Sequence, residues 1–161
     1  MLFASYTYVV FLIAVVATRW LVPARWVAPI LLLASYLFYA SAEPSHLLLL
    51  VLATAVGFGF GLAIESRPTK RALLGAAVAV PLALLGYFKY ADFVVAQWGG
   101  LLAALGAPAP TGPNVALPLA ISFFTFQIVS YVIDVRRGAS AERNPIRFAL
   151  YLAFFPQLVA G

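Results

Sequence analysis

Apolar residues occur in long runs separated by short polar or basic stretches, a pattern that predicts membrane-crossing helices. Five runs carry no charged residue: Leu2–Ala17, Val27–Ala40, Leu47–Ile64, Ala72–Phe88 and Leu117–Ile133. A sixth begins near Phe148, while Phe93–Leu105 is interrupted by two glycines and predicts a helix lying along the membrane interface. We therefore expect an all-α, polytopic helical membrane protein with about five to six spanning helices plus this interfacial helix, in a single membrane domain over residues 1–161.

The fifth run carries a polar stripe whose members recur at helical spacing on one face: Gln127, Ser130, Tyr131 and Asp134. Polar groups in hydrocarbon are costly unless they find partners, so this stripe is expected to face other helices or a wet cavity. Gln127 and Tyr131 are the candidate substrate-binding residues. The alternative is that both residues only bridge neighbouring helices.

Small residues recur every four positions in the third run, at Ala53, Gly57 and Gly61. This spacing lets a second helix approach closely. Pro81 lies in the middle of the fourth run and predicts a kink there. Residues 106–114, GAPAPTGPN, are turn formers and predict a loop before the fifth run.

Composition supports a membrane location, since 65% of residues are hydrophobic, 9% are charged and the mean hydropathy is +1.02. A soluble domain carries about 25% charged residues. Of the ten Lys and Arg residues, nine lie in the loops after the first, third and fifth runs, and the tenth is Lys89. The positive-inside rule then makes these loops cytoplasmic and the N-terminus external. Because the basic residues are scattered between apolar runs, membrane orientation explains the net charge of +5 better than nucleic-acid binding does.

Candidate chemistry is sparse, because the chain has no cysteine and one histidine, His46. A lone histidine needs a partner to act as a base or ligand, so we interpret His46 as a helix-start residue at the membrane interface. A Ser/His/Asp arrangement would require His46 to meet Asp134, which the charge pattern puts at the opposite membrane face. The acidic residues are spread over different loops, so no catalytic, cofactor-binding or metal residue is assigned.

Four stretches together resemble the membrane-bound O-acyltransferase family, in its alginate O-acetylation and D-alanyl transfer branch. They are LLLASYLFYA (31–40), LLGYFKYADF (84–93), LPLAISFFTFQIVSYVIDVRRG (117–138) and NPIRFALYLAFFPQLVAG (144–161). Two departures stand out: Ala120 occupies a position where glycine is usual, and Arg136-Arg137 one where Tyr-Arg is common. We expect Ala120 to alter a close helix contact.

The resemblance implies an enzyme of the bacterial inner membrane that passes an acyl group, in this branch acetyl, across the membrane to hydroxyls of an extracellular polysaccharide such as alginate. The family's general-base histidine lies beyond the FFPQL motif, so this chain is expected to be the N-terminal scaffold of a longer fold and inactive alone. Implied partners are the lipid bilayer, an acyl carrier protein or acyl-CoA as cytoplasmic donor, and a periplasmic acetylation partner. The alternative is a non-catalytic membrane transport or assembly subunit. Transport is disfavoured because the five runs lack ionisable groups.

Overall fold

The computed structural model describes residues 6–42, 44–105 and 116–160, and within these ranges every regular element is a helix. The helices are α1 (Tyr6–Leu21), α2 (Ala24–Ala42), α3 (Pro44–Ser66), α4 (Arg71–Ala104), α5 (Ile121–Arg136), α6 (Pro145–Ala153) and α7 (Phe155–Ala160). The all-α prediction is confirmed. The predicted loop at 106–114 lies outside the described residues.

By length and apolar character, three described helices can cross a membrane: α2, α3 and α4. The described part of the chain thus contains three helices of spanning length, and the other predicted spans are shorter or divided within it. Helix α1 contributes a shorter apolar stretch, Val9–Thr18. Helix α5 has 16 residues, about 24 Å at 1.5 Å per residue, because Leu117–Ala120 precedes the helix instead of extending it. The sixth predicted span is divided between α6 and α7.

Helix α4 runs without interruption for 34 residues, or about 51 Å. The prediction of a separate interfacial helix at Phe93–Leu105 is wrong, because this stretch continues α4 as far as Ala104. Glycine in a helix costs only about 1 kcal/mol relative to alanine, and the Gly99-Gly100 pair does not end this helix. Pro81 is likewise accommodated within α4.

Helices α3 and α5 form the centre of the fold and lie side by side in parallel. A Cβ built on Gly57 would lie 3.1 Å from Ile128, one built on Gly61 would overlap Tyr131, and Glu65 contacts Ala141 beyond α5. Residue numbers therefore increase in the same direction along both helices, which makes them parallel. Ala53, Gly57 and Gly61 are all buried, so the predicted close approach at the small residues is confirmed.

The buried face of α5 is its apolar one, which includes Ile121, Phe124, Ile128 and Val132, each at most 1% exposed. The polar stripe lies to the side of this face. Its members Gln127 and Tyr131 are half-buried and reach other elements, as expected. Ser130 and Asp134 lie on the exposed surface of the chain instead.

Ala120, immediately before α5, adopts the left-handed backbone conformation, with φ 56° and ψ 19°. Glycine enters this region without the steric cost that Cβ imposes. Ala120 therefore carries a conformational cost that glycine would avoid, and its expected effect on a helix contact stays a prediction. The turn is anchored by the Tyr39 hydroxyl, which donates to the Leu119 carbonyl at 3.1 Å.

Candidate functional site

Helices α6 and α7 are two halves of one interrupted helix. Phe154, between them, has ψ 108°, and Pro156 in α7 has no N–H with which to continue the hydrogen-bond ladder. In a continuous helix, the N–H of Phe155 would donate to the carbonyl of Tyr151. The break leaves both backbone groups in need of partners inside the helix bundle.

Two side chains from other helices replace the missing backbone bond. The Ser35 hydroxyl oxygen in α2 accepts from the Phe155 N–H at 3.2 Å, and it also donates to the Leu31 carbonyl at 2.8 Å. On the other side of the break, Gln127 Nε2 in α5 donates to the Tyr151 carbonyl at 3.3 Å. Ser35 is fully buried, so the replacement on the α2 side is shielded from solvent.

Gln127 also has a hydrogen-bond acceptor that no described residue uses. Its Nε2 lies 3.4 Å from Gln157 Oε1 in α7, while its own Oε1 is buried without a hydrogen-bond partner among the described residues. A buried acceptor without a donor is costly, so this oxygen calls for an O–H or N–H from water or a ligand. Gln127 thus bridges α5 to α6 and α7, as the bridging alternative predicted. Its Oε1 is the atom that could still accept a hydrogen bond from a ligand.

Tyr131 lies one turn further along α5 and organises the start of α6. Its hydroxyl oxygen accepts the backbone N–H of Glu142 at 3.1 Å, and its ring lies 4.7 Å from that of Phe148. Glu142 in turn accepts the N–H of Asn144 at 2.8 Å, and the Asn144 side chain caps α6 by accepting from Ile146 and Arg147. The Tyr131 hydroxyl keeps its own hydrogen to donate.

The segment 137–144 is also tied to the end of α3. Glu65 Oε1 accepts the N–H of Ala141 at 3.0 Å, and Glu65 Oε2 pairs with Arg143 Nη2 at 2.6 Å. This contact brings the basic connections after α3 and α5 to the same end of the fold. This agrees with the prediction that the basic loops after the third and fifth runs lie on the same side.

Two hollows lie beside the interrupted helix. One of about 240 Å³ is lined by Tyr131, Glu142, Arg147, Phe148 and Tyr151. The other, of about 380 Å³, is lined by Leu31, Arg147, Leu150, Tyr151, Phe154 and Gln157. Because both include Arg147 and Tyr151, they form one continuous surface, which we call the polar surface. Most of its lining is apolar, and its few polar atoms come from the side chains that give it this name: the Gln157 amide, the Arg147 guanidinium, the Glu142 carboxylate and the phenols of Tyr131 and Tyr151. These groups can hydrogen-bond with hydroxyl, carbonyl or anionic groups.

The structure separates His46 from the polar surface. His46 is the third residue of α3, where its ring lies edge-on to Phe88 with 6.1 Å between centroids. The parallel register of α3 and α5 puts it about 25 Å along the axis from Asp134, so the two do not meet. The interpretation of His46 as a helix-start residue is confirmed. Within the described ranges, no group of three His, Asp or Glu residues is placed to hold a metal ion.

Sequence reasoning found Gln127 and Tyr131 but missed their partners, Glu142, Tyr151 and Gln157. It also missed Ser35, which accepts the Phe155 N–H on the other side of the break. Gln127 and Gln157 are 30 positions apart, and Ser35 and Phe155 are 120 positions apart, so no periodicity within one helix joins them. Pro156 was the available signal, since a proline inside an apolar run marks a helix boundary.

Comparison with known proteins gives relatives along the whole chain. The chain is 38% identical over 168 aligned positions to the "Probable alginate O-acetylase AlgI" of Pseudomonas putida and 36% identical over 167 to that of Azotobacter vinelandii, matching 100% of this chain and 34% of each relative. It is also 32% identical over 163 positions to the "Peptidoglycan O-acetyltransferase" of Helicobacter pylori, covering 81% of this chain and 29% of that protein. The chain thus spans about a third of the length of these relatives. No family model and no solved structure matches it.

Proposed function

We propose that this chain, which belongs to the membrane-bound O-acyltransferase family, forms part of an enzyme that transfers an acyl group to a polymer hydroxyl across the bacterial inner membrane. The acyl group is acetyl, and the acceptor is an extracellular polysaccharide such as alginate. The observation that carries the proposal is the match of the whole chain to proteins named for O-acetylation. In this proposal residues 1–161 are a single membrane domain, the N-terminal scaffold of the longer fold.

The polar surface is the proposed substrate-binding region. Helix α6 has nine residues, so its break lies about 14 Å from its start, close to the middle of a hydrocarbon core about 30 Å thick. Interrupted helices at this depth are tolerated where they line a polar cavity, and they form binding sites in other membrane proteins. Tyr131 lines this surface, and its hydroxyl would donate to a substrate carbonyl. Gln127 lies behind the lining residues Tyr151 and Gln157, and its buried Oε1 would accept a hydrogen bond from a substrate hydroxyl or amide that reaches past them.

Acyl transfer to a hydroxyl needs a general base within hydrogen-bond reach of the attacking oxygen. His46 lies at the other end of α3 and is not proposed for this role. The base would come from outside these 161 residues, as would the contact with a periplasmic acetylation partner. The acyl donor, an acyl carrier protein or acyl-CoA, would approach the end that carries the basic loops. This end is proposed as the cytoplasmic one, with a multi-pass chain whose N-terminus is external.

The first test compares acyl transfer in membranes containing the 161-residue chain with membranes containing a chain extended through the downstream reading frame. We expect radiolabelled acetyl transfer from the extended chain only. Activity of the shorter chain would place the base within it and refute this assignment of the base. If the extended chain is folded and silent, the assembly-subunit alternative replaces the enzyme proposal.

The second test addresses the binding residues through Gln127→Leu, with the exposed neighbour Phe126→Leu as the matched control. When the variants are made in the extended chain and expressed in a strain lacking its own O-acetylase, Gln127→Leu should lower polymer acetylation at least tenfold, while Phe126→Leu should leave it unchanged. Donor titration separates the roles of the amide. A raised KM at unchanged melting temperature supports substrate binding, whereas a lowered melting temperature with unchanged KM reduces Gln127 to a bridge between helices.

A further inference from the structure

The larger hollow of the polar surface, about 380 Å³ in volume, has one charged side chain in its lining, that of Arg147. The other lining residues are Leu31, Leu150, Tyr151, Phe154 and Gln157. The carboxylate of Glu142 lines only the smaller hollow, and its Oε1 accepts the Asn144 N–H. The larger hollow therefore carries a positive charge that no acidic lining residue offsets.

Arg147 differs from its neighbour Arg143 in having no anionic partner. Arg143 Nη2 pairs with Glu65 Oε2 at 2.6 Å. Within the described part of the chain, the guanidinium of Arg147 makes no ion pair, and only its backbone N–H is hydrogen-bonded, to Asn144 Oδ1. The Arg147 side chain is exposed, so an anion can reach it. Its planar fork of N–H donors suits the oxygens of a phosphate.

The hollow leads from this cation towards the helix break. Arg147 is the third residue of α6, at the end of the fold that carries the basic loops, and the break at Phe154 is seven residues or about 10 Å further along. Gln157 lies at the far side of the break, where its Oε1 is 3.4 Å from Gln127 Nε2. A ligand lying along the hollow therefore meets a guanidinium first and amide groups deeper in the fold.

This order of groups matches the chemistry of the acyl donors in the proposed function. In acyl carrier protein and in acyl-CoA alike, the acyl thioester is at one end of a phosphopantetheine arm, with two amides along the arm and an anionic phosphate at its other end. We infer that the Arg147 guanidinium binds this phosphate and that the arm lies along the larger hollow towards Gln157. The inference rests on the proposed function, because it assigns the position of the donor in the same site.

A phospholipid headgroup would offer Arg147 the same phosphate chemistry at the membrane surface. The donor is favoured because the hollow continues past Arg147 to Gln157 and the helix break. Amide groups at that depth find hydrogen-bond partners in the amides of a pantetheine arm, whereas the hydrocarbon chain of a lipid would leave them without partners.

The test measures equilibrium binding of two probes to the full-length protein in dodecyl maltoside: S-acetyl-4′-phosphopantetheine, and S-acetylpantetheine, which lacks the phosphate. We expect the wild-type protein to bind the phosphorylated probe at least tenfold more tightly. Arg147→Gln should reduce this preference to less than twofold by weakening the phosphorylated probe alone, because the coupling disappears with either partner. Arg147→Lys keeps the charge without the fork and should retain about a threefold preference.

Arg137→Gln is the matched control, since it removes the same charge from an exposed arginine at the same end that lines neither hollow. It should change the preference less than twofold. Melting temperatures of all variants establish that they are folded. Absence of a phosphate preference in the wild-type protein, or a preference that survives Arg147→Gln, overturns the inference.

Two further measurements separate the inference from its alternatives. Acetyl transfer is assayed on the same preparations: transfer without a phosphate preference overturns the Arg147 site and leaves the proposed function standing, whereas an Arg147-dependent preference without transfer supports the site and contradicts the proposed function. Binding is also repeated in nanodiscs of phosphatidylglycerol. A preference that persists there supports the donor phosphate, and a preference that the lipid abolishes identifies a headgroup site and overturns the inference.

Discussion

Gly61 is the position where the packing of α3 against α5 can be tested most sharply. A Cβ built there would overlap the hydroxyl and ring of Tyr131, whereas a Cβ on Gly59, two residues earlier, has nothing within 4 Å. Gly61→Ala and Gly59→Ala are the same chemical change on the same helix. Helix propensity therefore contributes equally to both, and the difference between them isolates the clash.

The expected magnitudes follow from what Tyr131 would lose by moving. Its hydrogen bond from Glu142 contributes about 0.5–1.5 kcal/mol, and its ring contact with Phe148 contributes a similar amount. Forced overpacking costs about 1–3 kcal/mol, against a gain of about 0.5–1 kcal/mol when alanine replaces a helical glycine. We expect Gly61→Ala to destabilise the protein by about 1–2 kcal/mol and Gly59→Ala to stabilise it by about 0.5–1 kcal/mol.

The measurement is reversible unfolding in mixed micelles with increasing dodecyl sulfate, followed by helical circular dichroism. In a Tyr131→Ala background, Gly61→Ala should lose its penalty and match Gly59→Ala, because the coupling between contacting residues disappears with one partner. If the two alanine variants differ by less than about 0.5 kcal/mol in the wild-type background, or if the penalty persists without Tyr131, the proposed close contact is refuted.

The remaining predictions concern the two ends of the α5 region and the helix break. Ala120→Gly should stabilise the protein by about 0.5–1 kcal/mol in the same unfolding assay, because glycine relieves the left-handed strain. Gly138→Ala, at φ 110°, should destabilise it for the same reason. A change of the same sign in both variants would refute the conformational argument. Ser35→Ala should lower the free energy of unfolding by about 1–3 kcal/mol, because it leaves the first N–H of α7 unpaired. Thr54→Val removes a hydroxyl that is bonded only within its own helix and should lower it less. A smaller loss of stability for Ser35→Ala than for Thr54→Val would contradict the role assigned to Ser35.

The length of the apolar runs was enough to predict the two helices α2 and α3. The runs at Val27–Ala40 and Leu47–Ile64 correspond to α2 and α3 with only a few residues added at the ends. It failed where a local signal competes with the surrounding structure. The glycine pair in Phe93–Leu105 looked like an end of a helix, but about 1 kcal/mol per glycine is small beside the packing and hydrogen bonds of a long helix.

The polar stripe shows a second limit of sequence reasoning. Helical spacing correctly placed Gln127 and Tyr131 on one face of α5, since that inference depends only on geometry within one helix. It could not tell which residues that face would meet. The small residues of α3 allow the apolar side of α5 that contains Ile128 to pack closely against them, and Asp134 lies on the exposed side.

The interrupted helix links these observations to chemistry. The break between α6 and α7 separates the buried Phe155 N–H from the more exposed Tyr151 carbonyl, and each needs another partner. The donor is taken up by Ser35 and the acceptor by Gln127, so the polar residues appear on helices far from the proline that makes them necessary. Because the Gln127 amide has two ends and the break uses only Nε2, its buried Oε1 has no hydrogen-bond partner in the part of the chain that the structure describes. The residue that stabilises the helix break therefore also supplies a buried hydrogen-bond acceptor beside the proposed substrate-binding region.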